Sequence, residues 1–179
     1  MKPDRSDAAI AASQTIADVL RMSAIDWDAA VDLLASFDIA LAAVENAASI
    51  PGSYWGEPEA GVIGATVHAR GDTPVHSLLH EACHLIVAAP ARRRSIHTDA
   101  SDSQAEEDAA CYLQIVLAAR LAGVGATRIC ADMDAWGYTF RLGSARAWFE
   151  RDAEDARAWL VERGIVQTGI SSPFEMQTC

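Results

Sequence analysis

Residues 78–87, Leu-Leu-His-Glu-Ala-Cys-His-Leu-Ile-Val, set three ionisable groups inside a run that is otherwise apolar. The run predicts a helix. Asp72 or Thr73 can cap it, Pro74 suits its first position, and it must stop before Pro90. Leucine, isoleucine and valine on most of its faces predict that it is buried. Buried polar groups are costly unless they find partners. His80 and His84 are four residues apart, so on a helix they project from one face, one turn apart. Glu81 follows the first histidine directly. Two imidazoles at this spacing can hold a metal ion, and a carboxylate in the intervening turn can reach a water on that ion without ligating it. The same residues could instead belong to an ordinary amphipathic helix. Cys83 shares the crowded turn and is read as packing. His76, one turn earlier, is read as a helix-surface residue, with a contact to substrate as its alternative.

Catalytic zinc takes three protein ligands and keeps a fourth position open. Candidates for the third ligand stand in Ser103-Gln104-Ala105-Glu106-Glu107-Asp108-Ala109-Ala110, which opens another helix. Helical phase favours Glu106, because positions 106, 113 and 117 share a face within ~20° and point with Leu113 and Leu117. Glu107 shares its face with Gln114. Ser103 to Glu106 also reads as a capping box, in which the glutamate only satisfies a helix end. Glu107, Asp102, Asp108 and His97 stay open as alternatives.

The rest of the chain is read as α+β, predominantly helical, with a small sheet. Residues 1–50 form an N-terminal helical hairpin, the first helix capped at Ser6 or Asp7 and the second running from about Asp26 to Ala48. Residues 53–125 supply a strand, Val62 to Ala69, and the metal-site helices, the later one from Ser103 to about Ala122. Residues 127–165 add helices near 127–136 and 144–163, and 166–179 form a tail. Together 1–165 make one domain. Arg92, Arg93 and Arg94 read as a solvated turn.

The formal net charge is −11. So acidic a chain repels nucleic acid and anionic membranes, and neither is expected as a partner. No window of ~18 residues is apolar enough for a membrane span. The chain reads as soluble and cytoplasmic. The four cysteines show no close pairing, so Cys83 and Cys111 are expected as reduced core thiols. Nothing in the sequence sets an oligomeric state.

The His80-Glu81-Ala82-Cys83-His84 motif, followed by Glu106-Glu107-Asp108-Ala109-Ala110, resembles the zincin metallopeptidases. Within them it resembles the gluzincins, and more loosely the ImmA/IrrE-like peptidases, over residues 60–122. It departs from the last at Ala82-Cys83, where that family usually has Leu-Gly, and at Ala110, where it has Asn. The resemblance implies a zincin-like fold whose sheet has an edge strand, Val62 to Ala69, ahead of the motif helix, lining the cleft and pairing with an extended substrate. It implies Zn2+ on His80, His84 and Glu106, with Glu81 as general base. It also implies a helper for the oxyanion, for which Tyr138, Tyr112, His97 and His68 are candidates. The function so implied is zinc-dependent hydrolysis of a peptide or protein substrate by a small intracellular peptidase. The alternatives are a non-catalytic metal-binding or interaction module and a metal-dependent amidase.

Overall fold

In a computed structural model of the chain, residues 19–167 and 173–174 are described. The first expected helix lies outside them, except at Val19 and Leu20. Beyond a 3-10 turn at Met22–Ala24, the order is α1 (Trp27–Ala35), β1 (Ala40–Ala43), β2 (Gly61–Ile63), β3 (Thr66–Ala69), α2 (Val75–Val87), α3 (Pro90–Arg93), α4 (Gln104–Ala118), α5 (Gly125–Trp136), α6 (Ala145–Arg151) and α7 (Glu154–Glu162). The fold is α+β, with a mixed three-stranded sheet in the order β1-β3-β2. Among the described residues no helix is long and apolar enough to cross a membrane.

The expected second helix is cut short. Asp26 caps α1 through the amides of Asp28 and Ala29, but the helix ends at Ala35 and Asp38 turns the chain at φ 58°. Ala40 to Ala43 then lie parallel to β3, Ala40 beside Thr66 and Ala43 beside Ala69. A good helix-forming run has become a strand because the sheet supplies its backbone partners, so tertiary pairing overrides local propensity. The N-terminal region is therefore a helix followed by a strand where a second helix was expected.

The expected strand 62–69 is two strands. Gly64, at φ 59°, permits a tight turn with Ala65, and β2 folds back antiparallel on β3 with Val62 opposite Val67. The strand leading to α2 is thus the central one, not an edge. The outer side of β2 is itself occupied: the Val62 amide donates to the Gly52 carbonyl, and the Gly64 and Thr98 amides bond to the Ile96 and Val62 carbonyls. The edge that would accept an extended substrate is filled by the chain's own loops.

One apolar core runs from Met22 to Val166 and joins the helices on both sides of α2. Pro74 is the N-cap of α2, and Val75, Leu78, Leu79, Ala82 and Leu85 on it are fully buried. Its neighbours are α4, α5, β2 and β3. The expected helix 144–163 is broken at Asp152, whose carboxylate receives the Arg141 guanidinium and whose backbone, at φ −143°, leaves the helical region.

Candidate metal centre

The close packing of α2 on α4 brings His80, His84 and Glu107 together. The Nε2 atoms of His80 and His84 are 3.0 Å apart. The Glu107 carboxylate oxygens lie 3.4 Å from His80 Nε2 and 3.3 Å from His84 Nε2. Ligands ~2.1 Å from a tetrahedral zinc are roughly 3.4 Å from one another. The three donors therefore already stand near the corners of one face of such a tetrahedron, and the residues present fit a metal ion.

The orientation of His80 is set from behind. Its Nδ1 is 2.8 Å from Gln114 Oε1. The amide nitrogen of Gln114 points instead to the His76 carbonyl, at 3.5 Å. With Oε1 facing the imidazole, the Nδ1 proton of His80 is donated and Nε2 keeps its lone pair for a metal, the usual arrangement behind a ligating histidine. Gln114 is completely buried. His84 Nδ1 is a buried ring nitrogen without a hydrogen-bond partner among the described residues.

The electrostatics follow from the packing. Burial works against a charge on His80, but hydrogen bonds to the Cys111 sulfur and the Glu107 carboxylate outweigh it and raise the pKa well above that of a free imidazole. Burial likewise opposes ionised Glu107, yet hydrogen bonds from His80 and His84 pull its carboxyl far below the ordinary range. His84, more deeply enclosed, is lowered by burial and by the charge of His80. Without a metal, one proton rests chiefly on His80 against an ionised Glu107. A divalent cation held by these three residues would replace that proton.

Glu106, the expected third ligand, is turned away. Its carboxylate takes the Arg92 guanidinium at 2.5 Å and the Asp102 amide at 3.2 Å, while its own amide donates to the Ser103 hydroxyl cap. The helix rotation is 100° from the one expected. The face of α4 that meets α2 carries Glu107, Cys111 and Gln114, and the metal side of this interface is polar. Asp102 pairs with Arg92, Asp108 accepts from Gln104, and His97 bonds Thr98, so none of these alternatives joins the cluster. Cys83 is buried, as expected. Cys111 is also buried, but its thiol contacts His80, a role the sequence reading missed. His76 is not on the surface: it is fully buried between the rings of Trp136 and Tyr138, at 5.1 and 5.7 Å.

The donors face a cleft of about 1180 Å³, shared with Glu81, Glu59, His76 and Tyr138. One wall is the loop 98–104, which Arg92 ties down through the Ala100 carbonyl, Asp102 and Glu106. Arg92 is thus a clasp where a solvated turn was expected, and Arg93 bonds the Phe37 carbonyl. The opposite wall is the loop 54–59. Gly52 anchors it, since a Cβ there would lie 2.3 Å from the Val62 carbonyl oxygen. Of the four oxyanion candidates only Tyr138 lines the cleft, its ring 5.7 Å from that of His80. Tyr112 stacks on Phe149, and His68 lies in the central strand.

No protein-family model, curated protein or solved structure matches this chain.

Proposed function

We propose that the protein is a zinc-dependent hydrolase, a small metallopeptidase. The observation that supports it most is the triangle of His80, His84 and Glu107 opening on the same cleft as Glu81. Three donors of this kind suit zinc, and a structural site would have no use for the fourth group, a carboxylate that stays out of the cluster.

When bound, zinc supplies Lewis acidity that polarises a carbonyl and lowers the pKa of a water. Glu81 supplies the base. Burial, with the neighbouring charges of Glu59 and Glu107, pushes its carboxyl up to about 7 against the opposing charge of His80. That value belongs to the metal-free site; beside a cation the carboxyl would be ionised and could take a proton from the attacking water and return it to the leaving amine. Tyr138 supplies a donor. Burial raises its phenol far above the ordinary value, so it stays protonated and can hydrogen-bond the oxygen of the scissile carbonyl. Gln114 holds His80 in the tautomer that leaves Nε2 free.

Metal analysis and a complex peptide mixture test this reading. The purified protein should carry one zinc and hydrolyse members of the mixture. Glu81→Gln should keep the zinc and lose about 100-fold or more in rate, the usual share of a general base. A zinc-loaded wild type that cleaves nothing, or a Glu81→Gln variant as active as wild type, rejects it.

A further inference from the structure

Nine carboxylates line the cleft against a single arginine, Arg141, which is spent on Asp152. Several of the nine are occupied: Glu107 on the histidines, Asp102 on Arg92, and Glu57 on the Ile50 amide. Glu59, Asp99, Asp108 and Asp155 have no Lys or Arg ion-paired to them among the described residues. Such a cleft, with walls of lower dielectric, concentrates a field that favours cations.

Acidic walls alone would not define a ligand, but the surroundings of Glu59 do. Glu59 accepts the indole N–H of Trp136 at 2.8 Å through Oε1. The same indole ring packs on His76, which lines the cleft, is 0% exposed, and has neither ring nitrogen hydrogen-bonded. Leaving two buried ring nitrogens unmet is costly, and the unprotonated one of the neutral imidazole lacks a donor. The Trp136 ring already carries the Arg21 guanidinium, 5.9 Å from its centre, so the groups left for a ligand are the Glu59 carboxylate and the imidazole acceptor, which suit the charged donor head of a Lys or Arg side chain. Another aromatic, Trp55, stands 45% exposed at the rim with Tyr54 against it.

Resting on the peptidase reading above, we infer that the cleft takes basic peptides, with a lysine or arginine side chain lodged between Glu59 and His76 beside the metal ligands. Selection is then by side-chain charge, in keeping with a sheet edge already filled by the chain's own loops.

Binding to the zinc-loaded Glu81→Gln protein tests this without turnover, so absence of cleavage by the wild type would leave the result standing. Three end-blocked octapeptides differing only at one central residue, lysine, norleucine or glutamate, are titrated by calorimetry. The lysine peptide should bind about fivefold or more tighter than the norleucine peptide, the effect of one good ion pair, and the glutamate peptide weakest. The gap should narrow in 0.5 M salt, about where screening reaches a few ångströms. Adding Glu59→Gln should shrink the lysine-to-norleucine ratio. His76→Phe, on a different element, should shrink it too, and keeps the test open if the Glu59 variant does not fold. Equal binding of lysine and norleucine peptides, a ratio untouched by both variants, or no binding of any peptide at millimolar concentration overturns the inference.

Discussion

Gln114, two turns beyond Glu107 on α4, receives the Nδ1 proton of His80 on α2 at 2.8 Å. The contact is between two helices and fixes the imidazole before any metal arrives. Outer hydrogen bonds of this kind typically contribute 10–100-fold to metal affinity. Gln114→Leu keeps the bulk and removes the acceptor, so zinc should bind about 10–100-fold more weakly in chelator competition. Unchanged zinc affinity in a folded variant would mean that Gln114 only fills space.

Glu106 and Glu107 should separate cleanly. Glu107→Gln removes the ligand that faces both histidines and should weaken zinc by more than about 100-fold. Glu106→Gln breaks the half-buried pair with Arg92. It should leave zinc affinity near wild type and lower unfolding free energy by about 1 kcal/mol, at the upper end for a pair that solvent still reaches. Parallel chelator competition and denaturant unfolding read both. Loss of zinc in the Glu106 variant would contradict the assignment.

His76 should make the metal-free protein sensitive to acid. Burial, then the charges of His80 and Arg21, bring its pKa from 6.5 down to about 3. The folded value lies below the unfolded one, so the unfolded chain takes the proton first. The contribution to stability is full above pH 6.5 and is lost progressively as pH falls from there toward 3. At pH 5 the loss is ~2 kcal/mol relative to pH 7.5. In chelator, wild type should therefore lose about that much more than His76→Phe between the two pH values by denaturant unfolding. Identical losses would show that His76 takes up its proton without unfolding.

The helix that carries His80 and His84 was legible because its signal is local. Polar groups at i, i+1 and i+4 in an apolar run admit few explanations, and Pro74 and Pro90 bracket it. The carboxylate that meets the two histidines is one residue on from the expected Glu106, for a physical reason. Phase favours Glu106 only if α4 meets α2 through leucines. The interface around the ions is instead polar, and the signal lay in Gln114, a buried amide in phase with Glu107 and Cys111. An uncharged polar residue two turns past a glutamate, on an otherwise apolar helix, would have pointed to Glu107. The sheet was misread because β1 is made of alanines and one leucine, residues that favour a helix until β3 offers a parallel ladder. Likewise Arg92, in a run that reads as a solvated turn, gives no hint that it grips Asp102 and Glu106.

The neighbouring carboxylates of Glu106 and Glu107 have a mechanical consequence. One grips Arg92 on the cleft wall and the other faces the histidines, so α4 is held against rolling about its own axis from two sides. The Arg92 grip does not depend on a metal. An ion leaving the site would leave the helix at the same rotation, and a returning ion would meet donors that need little rearrangement. Most of the entropy of building the coordination sphere is then spent during folding, and recharging the site costs little ordering of the chain.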